Sequence, residues 1–405
     1  MAGIVIIGAG QGAGQAAASL RQAKYEGDIT LIGDEAYPPY QRPPLSKAYL
    51  SGELPIERVY VRAEKFYTDK NIDLKTNTRV ESIDPQGKSV TTDSGETIVY
   101  EKLLIATGSR PRKLSIAGSD LQGIHYLRTI SDVDAIRDSM STAKNIVIVG
   151  GGYIGLEVAS VAVSSDLNVT VMEMEGRILQ RVTTPEMSAF YHKLHTNRGL
   201  NILTNSTVSG FTGTDKTNGV LFKNEAGEES EIPADLVIVG IGIIPNIELA
   251  EVAGIHCDNG IVVDDHCRTS MQDVYAIGDC CNHPNPILDR RLRLESVPNA
   301  MEQARVAAAN ILGDDKVYAA VPWFWSDQYE LKLQMVGFSA DGDTQVVRGD
   351  MDTNQFAVFY LKDNAVVAVD AVNSPKEFMI CKQLYGKVVD PESLSDSETD
   401  LKTLL

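Results

Sequence analysis

Two stretches of the chain share one hydrophobic pattern. Ile4–Ile7 is a short apolar run that breaks into Gly8-Ala-Gly10-Gln-Gly-Ala13 and continues as the alanine-rich Gln15–Ala23. A second apolar run, Ile29–Ile32, then ends in Gly33-Asp34. This order predicts a buried strand, a tight glycine turn, a helix and a parallel strand with an acid at its tip. The pattern returns at Asn145–Val149, followed by Gly150-Gly-Gly152-Tyr153-Ile154-Gly155. A helix is expected over Leu156–Ser164, then a strand over Val169–Met172 ending at Glu173.

The stretches around these repeats carry their own signals. Tyr37–Lys47 contains Pro38, Pro39, Pro43 and Pro44, which predicts a rigid loop leading into a helix near Leu45–Leu50. Leu103–Ile105 is an apolar strand ending in Ala106-Thr107-Gly108, and Ser109–Gly118 is basic, broken by proline and read as a connector. Leu236–Ile244 is expected as one strand and Val274–Ile277 as another, running into Gly278-Asp279. Asn299–Leu312 has the alanine content of a long helix. Phe356–Leu361 and Val366–Val372 alternate across a Lys-Asp-Asn turn as a β-hairpin does. Pro375–Tyr385 is expected to be helical, and the polar tail from Pro391 to be loose.

The glycine turns point to chemistry. Gly8 permits the sharp turn, Gly10 lets the backbone approach a pyrophosphate, and Ala13 is small enough for helix to pack on strand. Gly150, Gly152 and Gly155 repeat this set, with Tyr153 and Ile154 inside the turn. Each helix start offers N–H groups and a positive dipole end to phosphate. Asp34 and Glu173 stand where a ribose would be bound. Two complete units imply two dinucleotides, one for each turn. A carboxylate at Glu173 accepts from both ribose hydroxyls and repels a 2′-phosphate, which predicts NADH over NADPH, although Arg177 and Arg181 follow closely. Gly278 allows close approach of a ligand, and Asp279 can bind a sugar-like chain.

Composition narrows the picture. The chain has 405 residues, 43% hydrophobic and 23% charged, which suits a multidomain globular protein. No apolar run approaches the ~20 residues needed to span a bilayer, and no signal peptide is evident, so a cytoplasmic location is expected. A net charge of −18 argues against nucleic acid and anionic membranes as partners. The five cysteines, Cys257, Cys267, Cys280, Cys281 and Cys381, form no C-x-x-C, so neither a metal nor a disulfide framework is expected.

Longer strings support a family resemblance. Arg42-Pro-Pro-Leu-Ser-Lys47, Tyr126-Leu-Arg128-Thr129, Gly150–Glu157, Glu295-Ser-Val297-Pro-Asn299 and Pro322-Trp-Phe-Trp325-Ser-Asp-Gln-Tyr-Glu330 resemble the putidaredoxin reductase-like family across almost the whole chain. The resemblance implies an α/β fold with two Rossmann-like dinucleotide-binding domains of the glutathione reductase type plus a C-terminal α+β domain. The expected boundaries are FAD-binding segments at 1–112 and 244–321, an NADH-binding domain at 113–243 and a C-terminal domain at 322–405. Gly8, Gly10, Ala13, Asp34, Arg42, Lys47, Val80, Thr107, Gly108, Arg128, Gly278, Asp279, Val297 and Trp325 are the FAD candidates. Gly150, Gly152, Tyr153, Ile154, Gly155 and Glu173 are the NADH candidates. The resemblance places Lys47 and Glu157 beside the isoalloxazine with Trp325 nearby, which makes these three the candidate catalytic residues. Ala13 departs from the third glycine of the pattern.

The implied activity is NADH-dependent reduction of a 2Fe-2S ferredoxin that serves a haem-thiolate monooxygenase or a ring-hydroxylating dioxygenase, carried out by a monomer. No cysteine stands before Cys257, so the thiol relay of disulfide reductases is missing and electrons leave directly from the flavin. An acidic partner then needs a basic patch, for which Arg290, Arg291, Arg293 and Arg305 are candidates, with Lys332 and Arg348 behind them. The alternatives are a rubredoxin, quinone or monodehydroascorbate reductase of the same fold, or a flavin-bearing binding protein resembling apoptosis-inducing factor.

Overall fold

The computed structural model describes residues 2–405 and divides the chain into two compact units. The first comprises Met1–Arg42, Pro55–Arg110 and Ile243–Pro322; the second comprises Pro43–Leu54, Pro111–Gly242 and Trp323–Leu405.

In the first unit, a sheet runs in the order Ile72–Lys75, Ile29–Ile32, Gly3–Ile7, Thr97–Ile105, Ser89–Thr92, Val80–Asp84. Val274–Ala276 adds to it by pairing in parallel with the end of Thr97–Ile105. Gly3–Ile7 is buried throughout and pairs in parallel on both sides, Ile7 meeting Ile32 and Ile105. That explains its unbroken apolar run, since a strand covered on both faces has no polar alternation. Thr97–Ile105 changes character along its length: the first half alternates beside an antiparallel ribbon, and Leu103–Ile105 is buried in the parallel core. Helices Gln11–Gln22 and Val297–Ile311 cover one face, burying Ala13, Ala16, Ala17, Ala304, Ala307 and Ala308. Their alanine content lets the two backbones approach closely.

The second unit repeats the plan with Asn201–Leu203, Asn168–Met172, Asn145–Val149, Leu236–Val239 and Ile124–Tyr126, an all-parallel sheet in that order. A three-stranded antiparallel sheet spans Thr207–Pro233. A five-stranded antiparallel sheet follows in the order Trp323–Gln328, Leu331–Gly337, Ala365–Val372, Gln355–Lys362, Thr344–Asp350. The expected hairpin is its centre, and Asp363 and Asn364 both have positive φ (51° and 61°), the conformation a two-residue hairpin turn requires.

Four expectations need correction. The helix placed near Leu45–Leu50 is a single 3-10 turn at Pro43–Ser46 followed by turns: the N–H groups of Lys47 and Tyr49 both close on the Pro44 carbonyl, three and five residues back, so no regular four-residue ladder continues. Leu236–Ile244 is two strands, Leu236–Val239 and Ile243–Pro245, split where Gly242 takes φ +103°. The connector at Ser109–Gly118 begins with a short strand, Ser109–Pro111. The tail is anchored rather than loose. Leu394 and Leu401 are buried, and the Arg348 guanidinium donates to the carbonyls of Leu394, Asp396, Ser397 and Thr399 while pairing with Glu377. One buried arginine (5% exposed) thus satisfies a whole stretch of polar main chain.

Candidate functional site

The first glycine turn is built for an anion. Gly8 has φ +98°, and a Cβ there would lie 2.3 Å from the Ala106 carbonyl, so only glycine fits between adjacent strands. Gly10 caps the helix Gln11–Gln22 with no side-chain cap, and nothing lies within 4 Å of where its Cβ would stand. This helix start therefore keeps free N–H groups facing an open cradle, whereas Ser296 caps Val297–Ile311 through the Asn299 N–H. A Cβ on Gly12 would be 3.3 Å from the Ala300 carbonyl, and one on Gly278 3.8 Å from the Ala300 side chain. The two helix starts and the Gly278-Asp279 turn thus converge. Ser109 donates to Asp279 (2.8 Å), Thr107 and Asn246 exchange hydrogen bonds (2.7 and 2.9 Å), and Gly108 sits at φ +62°.

Asp34 is exposed at the strand tip, while its neighbour Glu35 is bound by Arg42 (2.8 Å) and Tyr40 (2.6 Å). Burial alone would lower the Arg42 pKa, but Tyr40, Glu35 and Asp279 together hold it above its ordinary value. Val80 and Ala13 are core residues, and Val297 opens its helix. Sequence reasoning missed Gln303, which is fully buried and accepts the Gly278 N–H at 2.7 Å while its amide Nε2 has no partner. Gln11 Oε1 at the turn is likewise buried and unpaired. Orphaned polar atoms beside an uncapped helix start fit a bound dinucleotide.

The second turn matches the first. Gly150 has φ +110° with the Gly240 carbonyl 2.3 Å from a would-be Cβ, and Gly152 caps Tyr153–Ser164 with open space around it and no side-chain cap. Gly155 packs against the Gly150 carbonyl, where a side chain could not fit. Glu173 accepts from the N–H groups of Gly151 (2.7 Å) and Glu175 (2.9 Å), so its carboxylate is pinned beside the turn. Arg177 is turned onto the carbonyls of Thr184 and Gln180, away from that carboxylate. Ile154 is 48% exposed. Tyr153 packs 5.5 Å from Phe324 and donates to the Met335 sulfur at 2.9 Å, and burial pushes its pKa well up. The residues present fit a second dinucleotide.

Within the second unit, Lys47 and Glu157 meet. The Glu157 carboxylate, 3% exposed, takes Lys47 Nζ at 2.6 Å and Ser46 Oγ at 2.5 Å on one oxygen and Ser326 Oγ at 2.6 Å on the other. Three donors on a buried carboxylate compensate its lost hydration. Ser46 and Ser326 lie within the Leu-Ser-Lys and Trp-Ser-Asp strings, yet no pattern marked them as partners of a residue more than a hundred positions away. Trp325 is half-buried, 5.6 Å from Trp323 and 6.3 Å from Phe324. The Arg128 N–H donates to Asp132 in the capping box that starts the helix Ile130–Met140. Of the flavin candidates, Lys47, Arg128 and Trp325 belong to the second unit and the rest to the first.

The basic patch divides. Arg291 donates to the carbonyls of Val263 (2.7 Å) and Asn282 (2.6 Å), Arg293 pairs with Glu295 (2.6 Å), and Arg348 holds the tail. These three guanidiniums are bonded within the fold. Arg290, Arg291 and Arg305 are exposed. All five cysteines are free, four of them buried. No helix among the described residues is long and apolar enough to cross a membrane.

Residues 2–304 match the pyridine nucleotide-disulphide oxidoreductase family model and residues 323–405 the reductase C-terminal model. The chain is 42% identical to putidaredoxin reductase of Pseudomonas putida, over 99% of this chain and 96% of that one. It is 43% identical to the 5,5′-dehydrodivanillate O-demethylase ferredoxin reductase subunit of a Sphingobium species, over 99% and 97%. The reductase in the covalent putidaredoxin reductase–putidaredoxin complex superposes with a TM-score of 0.95 at 42% identity, covering 100% of this chain and 98% of that one. With two glycine-turn units and a C-terminal reductase domain matched over nearly its full length, the chain belongs to the pyridine nucleotide-disulphide oxidoreductase family.

Proposed function

We propose that this chain is an NADH-dependent ferredoxin reductase, with FAD at the first glycine turn and NADH at the second. It reduces a 2Fe-2S ferredoxin serving a haem-thiolate monooxygenase or ring-hydroxylating dioxygenase. The observation that carries this reading is a pair of uncapped, open helix starts at Gly10 and Gly152 in a chain with no cysteine before Cys257. Relatives named for ferredoxin reduction, alike over nearly the whole chain, support it.

Flavin, when bound, supplies the conversion of a two-electron donor into single electrons for the acceptor protein. The protein's part is binding and positioning. The N–H groups at Gln11–Ala13 and Tyr153–Gly155 take the two pyrophosphates, and Asp34 and Glu173 take the riboses. The pinned Glu173 carboxylate selects NADH because a 2′-phosphate would meet fixed negative charge. Lys47, held by Glu157 and Ser46, presents a cation, and Asp279, held by Ser109, presents a carboxylate toward the flavin chain. Arg290 and Arg305 serve the ferredoxin.

The test mixes purified protein with NADH or NADPH and cytochrome c, with and without a ferredoxin encoded nearby. Cytochrome c reduction should need ferredoxin and prefer NADH. Equal rates without ferredoxin would sink the proposal.

A further inference from the structure

The Glu157 carboxylate is the end of a longer buried chain within the second unit. Ser326 Oγ, which contacts Glu157 at 2.6 Å, also receives Gln328 Nε2 at 3.2 Å. Gln328 Oε1 lies 2.8 Å from His195 Nε2, and His195 Nδ1 lies 3.3 Å from the Tyr329 hydroxyl. Ser326, Gln328 and His195 are all completely buried. Ser326 and Gln328 share one face of the strand Trp323–Gln328, and His195 lies in the last turn of the helix Pro185–Asn197.

Chemistry allows this chain one proton order. A carboxylate only accepts, so Ser326 must donate to Glu157. Its lone pair must then accept from the Gln328 amide, which turns Gln328 Oε1 toward His195. His195 must carry its proton on Nε2, leaving Nδ1 bare to accept from Tyr329. Burial lowers the His195 pKa to about 4, against a raising hydrogen bond from Gln328, so the ring is neutral at pH 7. Burial also raises Tyr329 to about 12, keeping its hydroxyl protonated.

We propose that Gln328 and His195 are positioning residues: acting through Ser326, they fix the proton order that holds the Glu157 carboxylate against Lys47. The inference rests on the reductase reading for its functional meaning, but its first test does not.

Glu157→Gln reverses the order. The Lys47 ammonium only donates, so the new side-chain oxygen must face Lys47 and the new amide must face Ser326. Ser326 then accepts from that amide, and its own buried O–H, released from residue 157, turns to Gln328 Oε1, so Gln328 flips, the His195 proton moves to Nδ1 and the Tyr329 hydroxyl accepts it. The experiment is 15N NMR of the histidine rings in the FAD-loaded protein, with His195 assigned by His195→Asn. The wild type should show Nε2–H at His195, Glu157→Gln should show Nδ1–H, and Gln328→Met should abolish the response to Glu157→Gln. Nδ1–H in the wild type, or the same tautomer in both proteins, would overturn the chain.

The second arm is anaerobic stopped-flow reduction of the flavin by NADH. Gln328→Met should slow it about tenfold with the apparent NADH affinity within twofold, since only positioning is lost. Unchanged reduction in a folded Gln328→Met protein would overturn the positioning role. The tautomer readout needs neither NADH nor ferredoxin, so a failure of the reductase reading leaves it interpretable.

Discussion

Replacing Glu173 with alanine tests the cofactor assignment at one residue. Its two carboxylate oxygens are already oriented by the N–H groups of Gly151 and Glu175 at 2.7 and 2.9 Å. A preorganised carboxylate loses little freedom on binding, so charge-assisted bonds to the ribose hydroxyls contribute close to their full ~1.5–3 kcal/mol. Glu173→Ala should therefore raise the KM for NADH roughly 10- to 100-fold. The turnover number should stay within about twofold, because the lost contact is the same in ground and transition states. The substitution also removes the fixed charge and frees two N–H donors, so the KM for NADPH should fall. Steady-state ferredoxin-coupled cytochrome c reduction with each cofactor measures both. An NADH KM within twofold of wild type, or a wild type that already prefers NADPH, would refute the role given to Glu173.

Other expectations follow from the same geometry. Gly152→Val fills open space, so the protein should keep its melting temperature within a few degrees yet lose NADH binding, whereas Gly150→Ala meets a carbonyl at φ +110° and should destabilise the fold. Isothermal titration and thermal melts separate the two. Asp370, buried and bonded by Thr183 and Tyr360 (both 2.9 Å), has its carboxyl pushed up to about 6 by burial. Its contribution to stability is complete below its ordinary value and is lost as pH rises through about 6, roughly 3 kcal/mol in all. Asp370→Asn should flatten the fall in melting temperature between pH 4 and pH 6, and an undiminished fall would contradict the assignment. Arg290→Glu with Arg305→Glu should raise the KM for ferredoxin at low salt and leave ferricyanide reduction unchanged. If ferredoxin reduction is unaffected, the docking surface lies elsewhere.

The glycine turns were legible because their constraints are local. A strand buried on both faces is a run of apolar residues, and a turn at Gly8 or Gly150 admits no side chain. The Lys47–Glu157 pair came from family strings rather than periodicity. Their serine partners stayed hidden, because Ser46, Glu157 and Ser326 converge only through tertiary packing. The tail misled for a similar reason: its order depends on Arg348, a distant residue that reads as a surface charge. The same residue and Arg291 and Arg293 show why a run of arginines does not by itself mark a docking surface.

The most direct test of the central claim is the electron count. In an anaerobic titration, NADH is added to a catalytic amount of the protein with excess oxidised 2Fe-2S ferredoxin, and reduced ferredoxin is followed by its visible spectrum. Two ferredoxins should be reduced per NADH, with none reduced when the protein is omitted. Flavin that is reduced by NADH but is not reoxidised by ferredoxin would contradict the claim.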